Sequence, residues 1–173
     1  LYTGDADNDV TVTNTFAADW VWLKRRSGTD QHFVQDIVRG FGASKSLSPS
    51  TNGAEAYNGS SQSSQNIVTT SSSLRLVSGD FAVNSATYVA WTWKAGGGAD
   101  TFNIDGTGYS SASDASLSGG DITPTGASIN TTAGLSIISY TGNGGAITCQ
   151  TIKHGLSSAP ELIFIKDRDT NSN

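Results

Sequence analysis

Short runs of alternating apolar and polar residues, each closed by Gly, Asn or Ser, limit what this chain can fold into more than any other feature. Successive strand side chains point to opposite faces, so alternation with period two marks a half-buried strand. Val10-Thr11-Val12-Thr13 alternates cleanly. His32 to Arg39 is rich in β-branched and aromatic residues and stops at Gly40. Ser73 to Val77 runs into Ser78-Gly79-Asp80, with Phe81-Ala82-Val83 after it, and Tyr88 to Trp93 ends at Gly96-Gly97-Gly98. Leu135 to Tyr140 and Leu162 to Ile165 are near-continuous apolar runs, which predicts strands covered on both faces. Strands recurring at this spacing with turn residues between them predict an all-β fold, an antiparallel β-sandwich of jelly-roll or concanavalin-like type, with little or no helix.

Composition agrees. The 173 residues contain 25 Ser, 20 Thr and 20 Gly but only two Glu, Glu55 and Glu161. Long helices draw on Ala, Leu, Glu, Lys and Arg, so a helical bundle is excluded. The net charge of −5 lacks the basic footprint of a nucleic-acid binder. No apolar run reaches the roughly 18–20 residues that a membrane helix requires. Cys149 is the single cysteine, so no disulfide can form within the chain. Leu1 opens a sequence without Met, and the expectation is a stretch of a longer protein.

An internal repeat organises the chain. Tyr2-Thr3-Gly4 returns as Tyr140-Thr141-Gly142, and Trp20 to Arg26 returns as Leu162 to Arg168. The offsets are 138 (140 minus 2) and 142 (162 minus 20), so four inserted residues separate the copies. Three regions follow: a first sandwich module over 1–98 lacking an N-terminal strand, a Gly/Ser/Thr-rich connector over 99–133, and the opening strands of a truncated second copy over 134–173. Phe102, Ile104, Tyr109, Leu117, Ile122 and Ile129 punctuate the connector and predict that it is ordered. Burial of the apolar side chains in 135–165 predicts that this segment is paired in a sheet, with Leu135 to Ser139 as the strand preceding Tyr2.

No residue pattern carries catalysis, and none is assigned a catalytic, cofactor-binding or metal-binding role. Asp5-Ala6-Asp7-Asn8-Asp9 invites calcium, but Val10 and Phe16 stand where an EF-type loop needs Gly and Glu. An exposed acidic turn is the better reading. His32 and Asp36 share a strand face roughly 13 Å apart, too far for a base and its orienting carboxylate. Cys149 with His154 falls short of a zinc ligand set. The glycine runs lack the Gly-Lys-Ser/Thr ending of a phosphate loop. Trp20 with Trp22, and Trp91 with Trp93, are i,i+2 pairs able to stack on sugar; Trp20 and Trp22 become Leu162 and Phe164 in the second copy, so volume and burial are what the position requires, and core packing is the reading for both pairs. Lys24-Arg25-Arg26 and Lys166-Asp167-Arg168 read as solvated clusters, with contact to an acidic neighbouring subunit as the alternative.

Taken together, Tyr2-Thr3-Gly4, Trp20 to Arg26, Val34 to Gly40, Tyr88 to Gly98, Ile122 to Tyr140 and His154-Gly155-Leu156 with Pro160 span most of the chain. They resemble a tandemly repeated β-rich module, a domain of unknown function, in virion proteins of marine and cyanobacterial tailed phages, distantly similar to concanavalin-like and SPRY sandwiches. The Tyr88 to Gly98 block is the most specific part. The resemblance implies a non-enzymatic structural protein of the virion surface: a tail fibre, capsid fibre or decoration protein without cofactor. Its implied partners are other virion subunits in a homo-oligomer, with no nucleic acid and no membrane insertion. A carbohydrate-binding adhesin that attaches to a host-surface glycan is the alternative, and an envelope-polysaccharide depolymerase a more distant one.

Overall fold

The computed structural model describes residues 1–55, 66–77, 79–144 and 149–169, and no described residue lies in a helix. Among the described residues, eleven strands form three sheets, and the chain divides into two compact units, Leu1–Trp93 with Phe164–Asn173, and Lys94–Ile163. The all-β expectation holds. The division at 93/94 differs from a boundary at 98/99, and residues 99–133 supply three strands of the second unit.

In the first unit, β1 (Tyr2–Thr3), β7 (Thr87–Trp93), β3 (Trp20–Arg25) and β4 (His32–Asp36) form one antiparallel sheet in the order β1-β7-β3-β4. The other sheet is β2 (Asp9–Thr13), β6 (Ser73–Val77) and β5 (Asn66–Thr69), also antiparallel, in the order β2-β6-β5. Val21, Leu23 and Phe33 from the first sheet meet Ile67, Leu74 and Leu76 from the second, with Phe81 between them. This is a sandwich core, filled by every second residue of each strand. Strand β4 ends at Asp36, where the Asp36 carboxylate accepts the Arg39 amide at 3.0 Å and turns the chain.

In the second unit, β8 (Phe102–Ile104), β9 (Thr107–Tyr109), β10 (Gly126–Asn130) and β11 (Leu135–Ser139) form a sheet in the order β11-β10-β8-β9. The β8–β9 hairpin turns on Asp105-Gly106, with φ of 51° and 87°. Positive φ at both positions is what a two-residue hairpin matched to strand twist requires. Strands β8 and β10 are parallel, so this sheet is mixed rather than purely antiparallel. A parallel pair needs a crossover, and residues 105–125 provide it. Phe102, Leu117, Ala127 and Ile129 centre the core of this unit. Asp121 fastens the segment after β11 by accepting the Thr151 amide and hydroxyl at 2.9 and 2.7 Å. Those hydrogen bonds hold its carboxyl below the usual range.

Two expectations for 135–165 need correction. Leu135–Ser139 pairs with β10, while Tyr2 pairs with Tyr88 of β7, so β11 does not precede β1 in a sheet. Leu162 to Ile165 form no strand, and their side chains are 64–75% exposed. Apolar character alone does not make a strand where no neighbouring strand offers its backbone. The predicted Phe81-Ala82-Val83 strand is likewise absent, although Phe81 and Ala82 are fully buried.

Candidate functional site

The outer face of the β1-β7-β3-β4 sheet is unusual in its side chains. Alternation along β3 sends Val21 and Leu23 into the core and leaves Trp20 and Trp22 on the opposite face. Register then places Trp20 opposite Trp93 and Trp22 opposite Trp91 across the β3–β7 ladder. The two cross-strand pairs have ring centroids 4.5 and 5.8 Å apart. Trp91 and Trp93 are 43% and 38% exposed, and Trp20 and Trp22 are half-buried. The core placement read from the sequence for both pairs is therefore reversed. The face that meets the second sheet takes the smaller residues, and the indoles remain outside.

The rings meet at an angle. Interplanar angles are 64° for Trp20–Trp22, 48° for Trp20–Trp93 and 63° for Trp22–Trp91. Edge-to-face packing of this kind is favoured by the ring quadrupoles. Phe164 lies against the same face, 6.2 Å from Trp20 and 5.9 Å from Trp22 between ring centroids. With Phe164 itself 64% exposed, the face is a partly covered apolar patch. Such a surface marks an interaction site when it is contiguous.

His32 sits at the rim. Its Nδ1 accepts the Trp22 indole Nε1–H at 2.9 Å, which requires an unprotonated Nδ1. Burial first, and then the Lys24 charge, lower the His32 pKa. The neutral imidazole is thus the form that the fold selects. Because the folded pKa is lowered, His32 leaves stability unchanged above its unfolded value near 6.5 and subtracts from it as pH falls through that value toward the folded pKa. The melting temperature of the wild type is expected to decline between about pH 7 and 5, with a change in tryptophan emission, and His32→Gln is expected to flatten this decline. Equal pH profiles for the two proteins would remove His32 from the account.

The other residues singled out in the sequence are used structurally. Asp36 pairs with Arg39 at 2.6 Å. Arg39 also meets Glu55 at 3.0 Å and donates to the carbonyls of Lys45 and Val34. Glu55 in turn binds Arg168 at 2.6 Å, and its amide donates to the Arg168 carbonyl. Arg25 pairs with Asp30 at 3.0 Å, and Lys24 donates to the carbonyls of Arg25 and Gly28. Both basic clusters are therefore engaged internally as well as solvated. Asp5 accepts the amides of Asp7 and Asp9 within its own turn, and Asp9 is paired with Arg75. His154 Nδ1 accepts the Leu156 amide, and Cys149 is exposed. Among the described residues, no group of three or more His, Cys, Asp or Glu is placed to hold a metal ion. No described helix is long and apolar enough to cross a membrane.

The Arg39 network was not visible in the sequence, because its members are 3, 16 and 113 residues apart and follow no strand period. The outward set of the tryptophans was missed for a different reason. Both alternating sets on β3 are apolar, so the pattern separates them without saying which is covered.

No curated protein and no solved structure matches the chain. The family model described as a domain of unknown function (DUF7483) matches residues 1–173, and the chain therefore belongs to that family.

Proposed function

We propose that this domain is a non-enzymatic structural and interaction module of a bacteriophage virion, exposed at the particle surface as part of a tail fibre, capsid fibre or decoration protein, and that its tryptophan face seats against a neighbouring subunit. The observation that carries this reading is the outward cross-strand pairing of Trp20 with Trp93 and Trp22 with Trp91. Large aromatics exposed as a group are enriched where protein surfaces meet. The repeat of Tyr-Thr-Gly and of the β3 sequence, together with the likeness to tandem modules of phage particles, supports placement in an assembly built from copies.

A carbohydrate-binding adhesin is the second reading, because exposed indoles also stack on sugar rings. The ring angles of 48–64° argue against it. A flat stacking platform needs rings that lie in one plane, and these are tilted against one another. A depolymerase finds less support still. It would need two carboxyls with a substrate between them, whereas the close carboxyls of Asp36 and Glu55 both hold Arg39.

Antibody raised against this chain is expected to decorate intact particles of the encoding phage in electron microscopy. Trp91→Ala with Trp93→Ala should leave the fold intact and abolish incorporation into particles. On a microbial glycan array the wild type should stay dark. Unlabelled particles overturn the proposal, and sugar binding that the double variant loses replaces it with the adhesin reading.

A further inference from the structure

The two Tyr-Thr-Gly motifs have opposite surroundings. Tyr2 stacks on Tyr88 with centroids 5.0 Å apart and planes 7° from parallel, and its hydroxyl donates to the Phe81 carbonyl at 2.7 Å. Gly4 donates to the Ala86 carbonyl at 2.8 Å and accepts the Ser85 amide at 3.1 Å. It has no room for a side chain: a Cβ there would lie 2.1 Å from the Val83 carbonyl oxygen. Tyr2 and Gly4 are thus the residues that the Phe81–Tyr88 groove demands, while Thr3 between them is exposed. At the second motif, Tyr140 is 40% exposed, Thr141 and Gly142 are exposed, and a Cβ on Gly142 would meet nothing within 4 Å. Among the described residues, nothing around Gly142 calls for glycine, and its φ is not left-handed.

We infer that the Phe81–Tyr88 groove of one copy takes the Tyr140-Thr141-Gly142 of a second copy in place of its own Tyr2-Thr3-Gly4. Tyr140 stacks on Tyr88 and donates to the Phe81 carbonyl, and Gly142 enters the slot that admits no Cβ. Strand β1 is the resident to be displaced. It is a two-residue strand at the sheet edge, and short edge elements open at the low end of local stability. Exchange replaces each contact by its equivalent, as in other forms of strand addition. Groove and donor are different surfaces, so the contact is head-to-tail and joins copies into open chains or rings. The inference uses neither the tryptophan face nor the virion reading, and it can fail without them.

The test uses the full chain. On a Cys149→Ser background, Thr87→Cys protein mixed with Thr141→Cys protein is expected to form an intermolecular disulfide, because Thr141 takes the place of Thr3 opposite Thr87. Thr11→Cys in place of Thr141→Cys is the control. Adding Gly142→Ala to the donor is expected to cut the crosslink at least tenfold with the melting temperature unchanged, and Tyr140→Phe is expected to weaken it. Gly4→Ala, which expels the resident strand, should strengthen association about tenfold or more if the groove is otherwise free a tenth of the time or less. Sedimentation of the wild type should show concentration-dependent oligomers that Gly142→Ala abolishes. A chain that stays monomeric at all concentrations, crosslinking no better than the control, or crosslinking untouched by Gly142→Ala overturns the inference.

Discussion

Arg39→Met is expected to lower the unfolding free energy by about 3–5 kcal/mol, the usual penalty for removing one member of a buried ionic group. The Arg39 side chain is 5% exposed and lies between the carboxylates of Asp36 and Glu55, themselves 7% and 12% exposed. Without the guanidinium, Asp36 loses its ion-pair partner in a place that water scarcely reaches, and Glu55 keeps only Arg168. The Lys45 carbonyl loses this donor as well, while the Val34 carbonyl keeps the Leu47 amide. For a chain of this size the melting temperature should fall by about 6–20 °C, at roughly 2–4 °C per kcal/mol. Urea unfolding monitored by tryptophan emission checks the figure. Combining Arg39→Met with Asp36→Leu and Glu55→Met should recover part of the loss, since apolar replacement of a whole buried ionic group is often neutral or better. A loss below about 1 kcal/mol for Arg39→Met would place this network with the solvated surface pairs.

Phe81→Ala should be comparably damaging, by about 3–5 kcal/mol. Phe81 is fully buried although it lies in no strand, and its ring packs edge-on to Phe33 with centroids 5.2 Å apart. It fills the space between the two sheets of the first unit alongside Leu23, Leu74 and Leu76. Truncation opens a cavity that two hydrogen-bonded sheets cannot collapse to fill. Phe81→Leu, which keeps most of the volume, should cost less than about 1.5 kcal/mol. Comparable losses for the Ala and Leu variants would mean that ring geometry, and not filled volume, holds the sheets together.

Local pattern was enough for the strands themselves. Val10 to Thr13, Ser73 to Val77 and Tyr88 to Trp93 alternate in the sequence, and each lies within a strand of the structure, β2, β6 and β7. The reason is covalent: period-two alternation and β-branched side chains bias each segment before any partner arrives. Fold class followed from the same signals. The Asp105-Gly106 hairpin was equally available to a local reading, because both residues tolerate positive φ.

What the pattern could not supply was choice of partner and of side. Trp20 and Trp22 alternate with Val21 and Leu23, and both sets are apolar, so the strand is legible while its buried face is not. The β2-β6-β5 sheet settles that by covering Val21 and Leu23. Leu162 to Ile165 is as apolar as the start of β3 and yet remains unpaired and exposed. Strand β3 is flanked by β4 and β7, and among the described residues no strand pairs with 162–165. Arg39, Glu55 and Arg168 meet across up to 113 residues of chain, a distance at which no periodicity carries information. Propensity acts within a few residues and is written along the chain. Burial, pairing and charge neutralisation act between segments, and only the folded backbone brings those segments within reach of one another.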